Sequence, residues 1–431
     1  MKPILITGGR VIDPAQGIDE VSQVLMADGK IQKLGKRITV GPDCETVDAS
    51  GLVVCPGFID LHCHLRQPGY EYKETIASGT RAAARGGFTT VCCMPNTDPP
   101  LDNAALIDYV KQVAEREGAV RVLPIGCITR GRKGEDLADL AEQARAGAVA
   151  FSDDGSYVAS ARVMRRAMDY SKPLGLAIIE HCEEPSLAEG GQMNEGITAT
   201  RLGLPGIPNA AEETAIARDL VLAELTGARL HLAHVSTAGS VEYIRIARQR
   251  GVKVTAEVTP HHLTLTDKTV MGYNTSAKVN PPLRTPRDID ALVSGLKDGT
   301  LDIVATDHAP HAENDKLCEF AQAASGISGL ETALGALMGL VHTGKLDLNL
   351  LIAKLTAGPA RILGERYNNL GTFKVGAAAD VTVFDPERNW TVDSRKFASR
   401  GKNTPLNGEN LKGQVMMTVY GGRIIYRNEG F

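Results

Sequence analysis

The sequence has no CxxC pair and no regular cysteine framework, although eight cysteines are scattered along its 431 residues. That spacing excludes a small disulfide-stapled scaffold and a zinc-thiolate module, and leaves buried, reduced thiols as the reading. No basic cluster exceeds "RGRKG" at 130–134, and the formal net charge is -4. An electrostatic footprint for nucleic acid or an anionic membrane is therefore missing. There is also no apolar run of spanning length. The N-terminal stretch "MKPILITGGRVIDP" is broken by Gly8 and Gly9, so neither a signal peptide nor a membrane helix is expected there, and a cytoplasmic location is. Low-complexity tracts and solenoid repeats are absent too.

What is present is ordinary globular composition, 43% hydrophobic and 23% charged, enough for one large domain and a smaller one. Between residues 52 and about 345, short β-rich runs alternate with helical stretches such as "TIASGTRAAARG", "AEETAIARDLVLAEL" and "GSVEYIRIARQRG". Roughly eight strand–helix repeats predict an α/β fold, a (β/α)8 TIM-type barrel. Nearly every strand run starts apolar and finishes in His, Asp, Asn or Glu, and a barrel gathers those endings at one rim. A doubly wound open sheet would instead use a single switch point. The two ends read as short strands with DG and GG turns. They are expected to meet in one small β-sandwich, with residues 1–54 and 366–431 flanking a barrel of residues 55–365.

The stretch "DLHCHLRQPG" at 60–69 places His62, His64 and Arg66 on one strand face and turns Cys63 away. Two imidazoles at a strand end suit zinc. Further strand ends supply His181, His234 and Asp307, enough ligands for a mononuclear or binuclear hydrolytic site with a position left for water. His231, three residues before His234, reads as a packed or capping histidine. His261 and His262 read as structural or supporting. Of the neighbours Asp153 and Asp154, at most one is expected to face the centre, and parity does not choose between them.

In order, "GFIDLHCHLRQPGYEYKETIASGTRAAARGGFTTVCCMPNTDPP", "AFSDDGS", "EHCE", "HVST", "VNPPLR" and "ATDHAPH" resemble the type I dihydroorotases of the amidohydrolase superfamily. The resemblance runs essentially from end to end. It implies a cytoplasmic hydrolase of pyrimidine (UMP) biosynthesis that reversibly closes N-carbamoyl-L-aspartate to L-dihydroorotate. It further implies Zn2+, one or two ions per subunit, with two as the expectation. By position, His62, His64 and Asp307 would bind the first metal, His181 and His234 the second, and Asp154 would stand where many relatives carry a bridging carboxylated lysine. Hydantoinases and allantoinases, the nearest alternative activities, normally keep that lysine.

Asp307 would also be the catalytic proton carrier. Arg66, Asn96 and His311 would hold the substrate's free carboxylate and Asn280 its ring, with His64 also at the substrate. Backbone contacts would come from Ser325 and Gly326, in a loop that reads Ala-Ser-Gly where relatives commonly have Pro-Phe-Gly. A homodimer is implied, as is a complex with aspartate carbamoyltransferase. Some relatives persist as silent partners of that enzyme after losing their ligands, whereas this chain keeps every ligand position matched.

Overall fold

The computed structural model of the chain describes residues 2–431. Eight strands run parallel in chain order: Phe58–Cys63, Phe88–Cys93, Arg121–Pro124, Ala150–Ser152, Ala177–Glu180, Leu230–Leu232, Val254–Val258 and Ile303–Val304. Between the third and fourth strands the ladder continues through a bridge from Gly126 to Phe151. It returns to its start through a bridge from Cys63 to His308, where the His64 amide donates to the His308 carbonyl at 2.8 Å. The ring is thus closed and has no edge.

The intervening helices begin and end where side-chain chemistry dictates. Thr75 and Ser78 form a capping box before Ile76–Arg85, and Asn103, Asp139, Ser160 and Thr237 cap four further helices. Left-handed glycines at 147, 227 and 299 close three of them. Their inner faces bury residues at helical spacing, for example Ile107, Val110 and Val113 of Ala104–Glu117. Against them pack Val91, Val122, Ile178, Leu230, Ala256 and Val304 of the barrel strands in one apolar cluster.

Two further sheets lie outside the barrel, one built from the N-terminal segment alone and one from both chain ends. One orders Lys30–Gly35, Gln23–Ala27, Ile4–Thr7 and Glu45–Asp48. The other orders Arg423–Arg427, Asn410–Tyr420, Val381–Thr391, Val53–Pro56, Arg10–Asp13 and Ile18–Val21. Gln23–Ala27 alternates half-buried and buried residues, as a strand with one face on a core must. Its buried Val24 and Met26 join Ile4, Val11, Val54, Val381 and Met417 in a cluster of their own. Buried Asp13 ties the ends together, accepting from the Phe373 amide at 2.6 Å and from Thr372 Oγ1 at 3.0 Å.

All eight cysteines are free, and six are buried. Among the described residues no helix is long and apolar enough to cross a membrane.

Candidate active site

Because the eight strands share one direction, their C-terminal ends meet at one rim. The first strand is pinned to the eighth by Asp60, which is fully buried. Its carboxylate accepts from the Thr306 amide at 2.9 Å, from Thr306 Oγ1 at 2.5 Å and from the His62 amide at 3.3 Å. That clamp brings Asp307 beside His62 and His64. Strand register shifts between Asp60 and Cys63, an irregularity in the stretch that carries His62. Cys63 points away and donates to the Cys92 carbonyl at 3.3 Å.

Asp154 sits at the centre. It forms one potential ligand group with His62 and His64 and a second with His181 and His234. His62 Nε2 is 3.3 Å from its Oδ1, His64 Nε2 3.6 Å from its Oδ2, His234 Nε2 3.7 Å and His181 Nδ1 4.0 Å from Oδ1. Asp307 Oδ1 stands with the first group, 3.0 Å from His64 Nε2 and 3.5 Å from His62 Nε2. Asp153 is settled by its partners: it accepts from the Ile128 and Thr129 amides and from Thr129 Oγ1, so it holds a turn and stays out of the cluster. Arg132 donates to the carbonyls of Asp153 and Asp154 and fixes the backbone there.

The donor set fits divalent metal. His62 gives its Nδ1 proton to Glu257 at 2.6 Å and His64 gives its own to Asn96 Oδ1 at 2.8 Å, which leaves both Nε2 atoms as lone-pair donors aimed at the carboxylates. Buried His62 Nε2 and Asp154 Oδ1 have no hydrogen-bond partner of their own. Burial pushes the carboxyls of Asp154 and Asp307 up, but His62 and the other imidazoles around them outweigh it and hold both below the usual range. Carboxylates and imidazole nitrogens gathered in one buried cluster suit zinc and its divalent neighbours.

Glu257 was not anticipated. Fully buried, it accepts from His62 Nδ1, from His231 Nε2 at 3.1 Å and from the His234 amide at 3.2 Å. Burial opposes its charge, yet the two histidines bring its pKa down to about 2. His231, expected to be packed or capping, is buried and spans Glu257 and Thr255. The only sequence signal for Glu257 was an acid inside an apolar strand, "VTAEV". His262 supports the loop after the seventh strand, with Nδ1 2.8 Å from Thr259 Oγ1 and Nε2 2.9 Å from the Pro281 carbonyl. His261 is buried beside it.

A cavity of about 250 Å³ opens above the cluster, lined in part by His64, Arg66, Asn96, Asn280, His311, Ser325 and Gly326. Every residue expected at the substrate is therefore brought to one wall or another. Their side chains are partly engaged already. Asn96 Nδ2 donates to Asp154 at 3.3 Å, and His311 Nε2 donates to the Ser325 carbonyl at 2.9 Å. Burial, with Arg66 next to it, pushes His311 down to about 3, so its ring is neutral. Arg66 Nε donates to the Pro310 carbonyl at 3.3 Å.

The loop between His311 and Gly326 is held by two further residues absent from the sequence reading. Lys316 Nζ donates to the carbonyls of Thr275, Lys278 and Ala324, and Lys278 Nζ to Gln192 Oε1 and the carbonyls of Phe320 and Ala321. The Ala-Ser-Gly triplet is thereby fixed against the cavity without the Pro-Phe-Gly sequence.

This architecture has known counterparts. A family described as Dihydro-orotase-like matches residues 51–240. A dihydroorotase of Geobacter metallireducens is 53% identical over 98% of this chain and 99% of its own length. One of Pelotomaculum thermopropionicum is 53% identical over 99% of both. The chain belongs to the dihydroorotase family. It is an enzyme of the cyclic amidohydrolase kind that acts on a small molecule, and its fold is the TIM-type barrel with an attached β-domain. An L-hydantoinase (dihydropyrimidinase) from Arthrobacter aurescens superposes with a TM-score of 0.89 at 26% identity, covering 99% of this chain and 96% of its own. A dihydropyrimidinase from Brevibacillus agri gives 0.85 at 24% over 100% and 96%, a likeness of fold alone.

Proposed function

We propose that the chain interconverts N-carbamoyl-L-aspartate and L-dihydroorotate in the cavity above Asp154, as a zinc-dependent dihydroorotase of pyrimidine biosynthesis. The observation that carries the reading is the pair of histidine groups sharing Asp154, beneath a cavity with the half-buried Arg66 guanidinium at its wall. His62, His64 and Asp307 would hold one ion, His181 and His234 a second, and Asp154 would serve both. Zinc, when bound, supplies Lewis acidity and lowers the pKa of water to about 7.

The remaining steps belong to the chain. Arg66 donates paired hydrogen bonds to the substrate's free carboxylate, a planar match that lysine lacks. His311 and Asn96 flank that carboxylate. Buried Asn280 Oδ1, which has no hydrogen-bond partner, accepts from a ring N–H, and the backbone of Ser325 and Gly326 closes the far side. In the hydrolytic direction Asp307 takes a proton from the attacking water and returns it to the leaving ring nitrogen. Cyclisation runs the same path backwards.

The barrel of 55–365 is the unit proposed to carry this chemistry, with 1–54 and 366–431 as its companion. A cytoplasmic location, a homodimer and assembly with aspartate carbamoyltransferase are proposed on the sequence resemblance.

Metal analysis and turnover of dihydroorotate, hydantoin and allantoin on one preparation test the proposal. The expected result is zinc in every active chain and dihydroorotate preferred. Hydantoin turned over faster than dihydroorotate would overturn it. Carbamoyl aspartate carries two carboxylates and dihydroorotate one, so ring closure consumes a proton. The equilibrium should move about tenfold towards the ring per unit fall in pH, and a ratio indifferent to pH would contradict the assignment.

A further inference from the structure

We infer that Asn403, carried by the segment between the two long C-terminal strands, is a positioning residue that fixes the substrate side of the cavity. The inference rests on the reading of Arg66, His311, Ser325 and Gly326 as substrate contacts. Asn403 is buried, and its amide group is saturated. Nδ2 donates to the Ala309 carbonyl at 3.0 Å and to the Gly326 carbonyl at 2.9 Å. Oδ1 accepts from the His311 amide at 2.9 Å and from Ser328 Oγ at 2.9 Å. An asparagine side chain has two N–H donors and two acceptor lone pairs, so all four are used. Its own carbonyl accepts from the Ser328 amide at 2.8 Å, which immobilises it further.

Where those bonds go separates this residue from any satisfied core asparagine. Ala309, His311 and Gly326 all line the cavity, and they come from two different stretches of chain. Those stretches are pressed together: a Cβ on Gly326, whose φ is +145°, would lie 2.7 Å from the Ala309 carbonyl oxygen and 3.0 Å from His311 Nε2. No side chain fits between them, so Asn403 reaches their backbone from behind. Its segment lies close enough to do so, because a Cβ on Gly401 would sit 2.4 Å from Pro310 Cβ. Asn403 therefore sets the spacing between the His311 and Gly326 backbones, and with it the width of the substrate wall, while touching neither substrate nor any proposed metal ligand.

The test uses the full, metal-loaded chain. Asn403→Asp keeps the shape and both acceptors but loses the two donations to Ala309 and Gly326. Asn403→Ala loses all four bonds. Both should raise KM for dihydroorotate about tenfold or more, the effect of one or two unmade buried hydrogen bonds, with kcat and zinc content nearly unchanged. A protonated carboxyl regains one donor, so the Asp variant's KM relative to the parent should grow from pH 6 to pH 9, while the Ala ratio stays flat. A parental KM in folded Asn403→Ala overturns the inference, as does a fall in kcat and zinc content at unchanged KM. Arg66→Ala is measured alongside. If it raises KM while the Asn403 variants do not, only the positioning role fails; if it too leaves KM unchanged, the substrate reading fails and this inference with it.

Discussion

Arg66, His234 and Asp307 have positive φ, at 60°, 33° and 45°, in a region that residues with a Cβ rarely occupy. Each lies just past a barrel strand, where the turn re-aims a side chain that strand parity alone would not direct. Such conformations cost about 1 to 3 kcal/mol each and persist where the surroundings over-determine them. Here Asp60 supplies part of that by gripping Thr306 on one side and His62 on the other. The two roles assigned to Asp307 and Arg66 separate in kinetics. Asp307→Ala should lose turnover by more than about a hundredfold, and Arg66→Ala should chiefly raise KM. The opposite pattern would mean that catalyst and anchor have been exchanged. His62, His64, His181, His234 and Asp307 were legible because each is a polar ending on an apolar run. The choice between Asp153 and Asp154 was not, since it depends on which carboxylate finds the Ile128 and Thr129 amides. Glu257 went unread because a charge inside a strand announces burial without naming its partners.

The strands and helices were legible in their order and type, through alternating patterns and caps, and the eighth strand is the shortest at two residues, Ile303–Val304. Less legible was the stretch from 311 to 326, which lacks a periodic pattern and is organised by bonds from buried lysines to backbone carbonyls. Burial, with Lys278 nearby, pushes Lys316 down from 10.5 to about 7. Asp315 and Cys318 act in the opposite direction and do not cancel it. Between those two values the unfolded chain binds the extra proton, so stability should rise with pH across that window. Below about pH 7 the full cost of burying the charge is present. Lys316→Met should lack this rise, so the stability difference between parent and variant should change between pH 7 and pH 10, measured by denaturant unfolding at both. Parallel pH profiles for the two proteins would sink the idea.

At the scale of the whole molecule, the barrel is a closed ring, whereas the six-stranded sheet is a joint between the two ends of the chain. Asp13 is its tie, and Asp13→Ala strands the Phe373 amide and the Thr372 hydroxyl in a buried place. A loss of about 2 to 4 kcal/mol in unfolding free energy is expected, at unchanged KM, since Asp13 touches no cavity residue. An unaltered denaturation midpoint would show that the sheet holds without it. The same joint sets a timetable for the nascent chain. Val53–Pro56 pairs with Val381–Thr391, and the contact between Cys55 and Thr382 spans 327 residues. At ribosomal rates of roughly 5 to 20 residues per second, the later strand follows the earlier one by roughly 16 to 65 s. Throughout that interval one side of Val53–Pro56 is an open template for any passing strand. Aggregation during synthesis is thus most dangerous near the N-terminus, long after that segment has left the ribosome.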